Sequence, residues 1–97
     1  MIVAWSAAAR ADRFDQLEHI AVENARAAIE LDAAIEHHSS MLADHPDMGR
    51  AGRVKGTREL VLARTPFVAV YRVQPRLKRV EILRMVHGRQ QWPPVTP

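Results

Sequence analysis

Residues 57–86 read TRELVLARTPFVAVYRVQPRLKRVEILRMV, and this stretch decides the fold. Three runs rich in Val, Leu, Ile and aromatic residues stand out: 57–63, 67–73 and 78–86. They are separated by Arg64-Thr65-Pro66 and by Gln74-Pro75-Arg76-Leu77, both turn-like. Such runs bounded by turn residues predict two successive hairpins, an antiparallel meander. In FVAVYRV both parities are apolar, so this strand is expected to be central and covered on both faces.

Upstream the period changes. Met1–Trp5 reads as a short strand that joins the sheet, since alone it would leave its backbone groups unpaired. Ser6 is placed as an N-cap. A helix from Ala7 to about Asn24 follows, with Phe14, Leu17, Ile20 and Ala21 as its apolar side and Asp12, Asp15 and Glu18 opposite. Asn24 marks a break or cap. From Ala25 to Ala43 the stripe is Ala28, Leu31, Ile35, His38 and Leu42, an amphipathic helix whose core residue is expected to be Leu31. Two helices joined this closely pack as an antiparallel hairpin. His45-Pro46 ends the second helix. Residues 48–56, with three glycines, read as an exposed loop.

The expected fold is therefore α+β: an N-terminal strand, an antiparallel two-helix hairpin and three further strands (β-α-α-β-β-β), with the hairpin packed on an antiparallel sheet. With 97 residues the chain makes one domain, 1–97, whose proline-rich tail at 92–97 is expected to be flexible. No apolar run approaches the ~20 residues a membrane span needs. The opening MIVAWSAAARAD meets charge too soon for a secretory leader. Cysteine is absent, which excludes disulfides and thiolate chemistry and fits a cytoplasmic protein.

Charge divides the chain. Residues 1–48 carry three basic side chains against nine acidic ones; residues 49–97 carry eleven basic (nine Arg, two Lys) against two acidic, Glu59 and Glu81. Such asymmetry predicts an anionic partner for the second half, nucleic acid or an acidic protein segment.

Several chemistries fail on residue type. His37 and His38 are adjacent and point about 100° apart on a helix, and no HExxH is present, so no metal site is expected. GRAGRVKGT lacks the spacing of a phosphate-binding P-loop, although Arg50, Arg53 and Lys55 have the chemistry to touch phosphate. Ser6, Ser39 and Ser40 sit in no nucleophile elbow. What remains is a basic set on the meander: Arg58, Arg64, Arg72, Arg84, His87 and Arg89. A histidine among arginines is able to act as acid or base on a phosphodiester, with arginine stabilising the added charge.

The assembled pattern resembles the RelE/ParE superfamily of type II toxin–antitoxin toxins, also called plasmid-stabilisation proteins. The resemblance covers nearly the whole chain. It is carried by Leu42…His45-Pro46…Gly49-Arg50, Gly56-Thr57-Arg58-Glu59-Leu60, Pro66-Phe67…Tyr71-Arg72-Val73 and Glu81-Ile82-Leu83…Val86-His87-Gly88…Trp92-Pro93. It implies a helical hairpin on a sheet, no cofactor, and a cognate acidic antitoxin from the same operon in a hetero-oligomeric complex.

The resemblance also implies one of two targets. RelE-like members cut mRNA on the ribosome, without metal, using basic side chains on the sheet face. ParE-like members poison DNA gyrase by protein–protein contact. At the positions where a ribonuclease carries basic groups, this chain has Glu59, Val61 and Val68, and only Arg89, with His87 nearby, is retained. Each missing transition-state donor costs roughly 2–4 kcal/mol. The expectation is a ParE-like gyrase poison, with Arg50, Arg53, Lys55, Arg58, Arg64, Arg72, Arg84, Arg89 and Trp92 as contact residues for target or antitoxin. The alternative is a RelE-like endoribonuclease using His87 and Arg89, with Arg58 or Arg72 on phosphate.

Overall fold

The structure is a computed structural model that describes residues 1–94. The part of the proline-rich tail at 95–97 lies outside the described residues.

The chain runs β1 (Ile2–Trp5), α1 (Ala7–Glu23), α2 (Ala25–Ser40), a 3-10 turn (Met41–Ala43), β2 (Arg50–Ala51), β3 (Arg58–Val61), β4 (Phe67–Gln74), a second 3-10 turn (Pro75–Leu77) and β5 (Arg79–His87). Two helices lie on one five-stranded sheet of order β1-β5-β4-β3-β2. The expected α+β layering and the 57–86 meander are present. The sheet, however, is mixed: β1 runs parallel to β5, with Val3 beside Val80 and Trp5 beside Ile82. The long excursion through helices and meander is the kind of crossover that parallel neighbours require. The stretch read as open loop also contains β2, which pairs Arg50 with Glu59 and Ala51 with Arg58.

Both helix starts follow from their caps. The Ser6 hydroxyl accepts from the Ala9 N–H at 3.0 Å, and the Asn24 side chain accepts from the Ala27 N–H at 3.0 Å. Asn24 has an extended φ of −153°, so it breaks the helix and caps the next one at once. Arg13 ties three elements together. Its guanidinium lies 4.8 Å from the Trp5 ring centroid of β1 and reaches Asp32 and Glu36 of α2 at 2.7 and 3.0 Å.

The main core lies between helices and sheet: Ala9, Ile35, Leu42, Leu60, Leu62, Phe67, Ala69, Tyr71, Val80, Ile82 and Met85. Leu31 is not among them. It is half-buried at the side of α2, facing a groove with Ala27, Ala34 and Arg64. The buried positions of α2 are Ala28, Ile35 and Ser39. Burying Ser39 is tolerable because its hydroxyl donates to the Glu36 carbonyl at 3.3 Å. On α1, Leu17 and Ile20 pack inward as expected, whereas Phe14 is 65% exposed.

Phe67–Tyr71 of β4 is buried on both faces. The second face has its own small cluster, Val68, Val70 and Val86, covered by Trp92. Trp92 therefore lies over the side of the sheet the helices leave open.

Candidate functional site

The face of the sheet away from the helices carries four of the five strand arginines, Arg50, Arg72, Arg79 and Arg84, because strand parity puts alternate residues there. Glu59 stands opposite Val70 and Val61 opposite Val68. On β4 and β5, Arg72 stands opposite Glu81 and Val70 opposite Arg84. The three positions where a sheet-face ribonuclease would need cations thus lie side by side, filled by a carboxylate and two valines.

Most arginines here are neutralised from within. Glu59 is 1% exposed and forms the centre of a cluster. It accepts from the Arg53 backbone N–H at 2.8 Å, the Arg53 guanidinium at 2.9 Å and the Arg50 guanidinium at 3.2 Å. The Arg53 hydrogen bonds hold the Glu59 carboxyl far below the usual carboxylate range, at about 2, against the opposing effect of burial. Arg72 pairs with Glu81 at 2.8 Å. Arg84 makes two hydrogen bonds to Asp12 of α1, at 2.7 and 2.9 Å, and its guanidinium lies 5.6 Å from the Trp92 ring centroid.

Asp12 has a second task. β1 ends at Trp5, beside Ile82, so the outward backbone groups of the next β5 residues lack a strand partner. The Asp12 carboxylate accepts from the Met85 N–H at 2.9 Å and the Ser6 hydroxyl donates to the Leu83 carbonyl at 2.9 Å. Two side chains from the helix layer thereby finish the sheet edge at the β4–β5 irregularity next to Val70.

Arg58 faces the other side and is spent on backbone: it donates to the carbonyls of Gly49 at 2.8 Å and Asp47 at 3.3 Å. The Gly49 N–H donates to the Tyr71 hydroxyl at 2.9 Å, which in turn donates to the Pro46 carbonyl at 2.8 Å. A Cβ on Gly49 would sit 2.7 Å from that hydroxyl and 2.8 Å from the Glu59 carbonyl oxygen. The 46–53 segment is therefore a clamped structure that presents its guanidiniums in fixed places.

The alternative catalytic set is not brought together. His87 stands opposite Phe67, and its ring packs edge-on against that phenyl at 6.0 Å. Its Nδ1 accepts from the Arg89 backbone N–H at 3.1 Å. Arg72 is five residues further along β4, roughly 17 Å away at about 3.4 Å per residue. That residue also points to the open face, whereas Arg58 shares the His87 face but stands beside Tyr71, four residues along β4 from Phe67 and roughly 14 Å away. Lys55, Arg64 and Arg89 are exposed on three separate connections, Arg64 with a left-handed φ of 65°. Trp92 joins the arginine face through Arg84 and the valines.

Three features escaped the sequence reading. Asp12, Glu59 and Glu81 are the acids that neutralise the arginine face. Arg76, Lys78 and Arg79 are basic residues outside the expected contact set. An apolar groove of about 440 Å³ on the outer side of the helix hairpin is lined by Phe14, Leu17, Ala21, Ala25, Ala28 and Ile29, with Glu18 and Asp32 at its rim. The signal for Glu59 was present: it is the one acid between Asp47 and Glu81. No group of His, Asp or Glu able to hold a metal occurs among the described residues. No helix among them is long and apolar enough to cross a membrane.

A two-helix layer on a mixed five-stranded sheet with an arginine-rich open face defines a small α+β domain of the RelE/ParE type. The comparisons name the family: the profile described as ParE toxin of type II toxin-antitoxin system, parDE, matches residues 3–92, and the chain belongs to that family. It is 42% identical over 84 residues to "Putative toxin Y4kP" of Sinorhizobium fredii, covering 86% of this chain and 84% of that protein. Among solved structures, a chain of the chromosomal ParDE toxin–antitoxin system from P. aeruginosa superposes with a TM-score of 0.79 at 30% identity, covering 90% of this chain and 95% of that one. A chain of the RelBE2 toxin–antitoxin complex from Mycobacterium tuberculosis shares the fold, with a TM-score of 0.62 at 23% identity over 89% of this chain and 95% of that one.

Proposed function

We propose that this ParE-family toxin acts by binding, inhibiting DNA gyrase through protein–protein contact, and that a cognate acidic antitoxin neutralises it. The observation that carries the binding mode is the adjacent placement of Glu59, Val61 and Val68 on the open sheet face. A phosphodiester cleaved there would meet a buried carboxylate and two valines, and the nearest guanidiniums, Arg50 and Arg53, already serve Glu59. The separation of His87 from Arg72 and Arg58 further disfavours the ribonuclease alternative.

Antitoxin neutralisation is supported by the likeness to a chain of the ParDE toxin–antitoxin system from P. aeruginosa. Surface chemistry supports it too. The Phe14–Ile29 groove offers exposed apolar area to a partner helix, and the basic half offers charge to an acidic segment. The test is induced expression of the chain with and without the neighbouring reading frame. Growth should stop with the chain alone, recover when the neighbour's product is co-expressed, and leave mRNA on ribosomes uncut by toeprinting. Codon-specific breaks would overturn the binding mode, and growth unaffected by the chain would overturn its activity.

A further inference from the structure

The basic half carries eleven cations, and five of them are already engaged within the chain. Arg50 and Arg53 are held by Glu59, Arg72 by Glu81 and Arg84 by Asp12, and Arg58 is spent on carbonyls. Six others make no ion pair among the described residues: Lys55, Arg64, Arg76, Lys78, Arg79 and Arg89. The register sorts these six by position. Arg64 and Arg89 flank the end of the sheet marked by Phe67 and His87. Arg76, Lys78 and Arg79 fall at the opposite end, on the turn between β4 and β5. Lys55 lies at that end as well, on the β2–β3 turn, because Arg58 pairs with Tyr71 near the far end of β4.

This cationic end is also apolar. Leu77 projects from the turn at 59% exposure, between Arg76 and Lys78. Ile2 of β1, paired in register with Arg79, is 70% exposed. The two are joined by backbone, since the Ile2 N–H donates to the Lys78 carbonyl at 3.0 Å. The turn is well defined: Lys78 takes a left-handed φ of 51°, and the Arg79 guanidinium donates to Gln74 Oε1 at 2.6 Å, a neutral acceptor that leaves its charge unmatched. Exposed leucine and isoleucine beside unmatched cations offer a partner apolar contact as well as charge, and a phosphate backbone would use only the charge.

We infer that the β4–β5 turn, with Ile2 beside it, is the docking point for an acidic protein segment that carries apolar side chains. The inference rests on the toxin–antitoxin reading for the source of that segment and locates it at the β4–β5-turn end of the sheet, beyond the neutralised arginines. Carboxylates of the segment meet Arg76, Lys78, Arg79 and Lys55, while its apolar residues cover Leu77 and Ile2.

The test uses the full 15N-labelled chain titrated with a short Glu-rich peptide bearing a Leu at every fourth position. Amide shifts should concentrate at Ile2 and residues 74–79, with a smaller set around Lys55. The double variant Arg76→Gln with Lys78→Asn, which keeps a residue tolerant of left-handed φ at position 78, should weaken binding roughly tenfold without changing the melting temperature. Arg10→Gln with Arg26→Gln removes the same charge from the helix layer and should leave the affinity within about twofold, the level expected of distant charges under screening. Shifts centred on residues 64 and 87–89, equal losses in both double variants, or tighter binding of a DNA duplex or anionic vesicles than of the peptide would each overturn the inference. Copurification with the neighbouring frame's product separates the two levels. If that product binds the wild type and the Arg76/Lys78 variant equally, the docking point is wrong and the toxin–antitoxin reading stands. If it binds neither, that reading falls, and the peptide titration still decides the docking point.

Discussion

Replacing Glu59 with Gln probes the cluster that rigidifies the arginine face. In the native chain the carboxylate is 1% exposed and receives three donor groups from Arg53 and Arg50. Lowering its pKa from 4.5 to about 2 corresponds to an upper limit of about 3 kcal/mol, at roughly 1.4 kcal/mol per pH unit. Arg50 and Arg53 are half-exposed and regain water when the charge is removed, so the discounted cost is about 2 kcal/mol. For a domain of this size that lowers the melting temperature by roughly 8–16 °C. Because the folded pKa lies below the unfolded one, the stabilisation is fully present above about pH 4.5 and is lost as pH falls towards 2. Thermal melts by circular dichroism from pH 7 down to pH 2 should therefore show the wild type losing its advantage over Glu59→Gln across that window. Equal melting temperatures at pH 7, or a gap that persists unchanged at pH 2, would refute the reasoning.

Ile35→Asp should unfold the domain, at a cost of about 4 kcal/mol or more, because Ile35 is fully buried in the helix–sheet core; Leu31→Asp should stay folded, and urea titration compares the two. Asp12→Ala strips two bonds from Arg84 and one from the Met85 N–H, and should cost about 2–3 kcal/mol with faster amide exchange at Met85. Gly49→Ala forces a Cβ into Tyr71 and the Glu59 carbonyl and should cost about 1–3 kcal/mol in the same denaturation assay. Trp92→Ala should uncover Val68, Val70 and Val86, raising binding of a hydrophobic dye at a cost of about 2–3 kcal/mol.

The change of period at residue 57 made the two layers legible. Helical spacing before it and apolar runs with turn residues after it give the hairpin and the meander, and Ser6 and Asn24 announce both helix starts. Ala28, Ile35 and Leu42 are buried as the stripe predicts, whereas Leu31 is half-buried and Ser39 takes the place expected for His38, because a polar residue satisfied by its own helix can be buried. Strand β2 is two residues long and owes its place to Glu59 and Tyr71, so local propensity carries no trace of it. The arginine face was visible as composition, but its neutralisation was not. The Asp12–Arg84 pair joins residues 72 apart in the chain, and only the packing of α1 against the β5 edge brings them together. That Arg76, Lys78 and Arg79 make no ion pair among the described residues likewise emerges once the other cations are seen to be occupied.

Plasmid supercoiling by purified gyrase in the presence of the purified chain tests the target directly. The account predicts loss of supercoiling and accumulation of cleaved plasmid at micromolar chain, both reversed by the neighbouring frame's product. Full supercoiling with no cleaved plasmid at that concentration would contradict it.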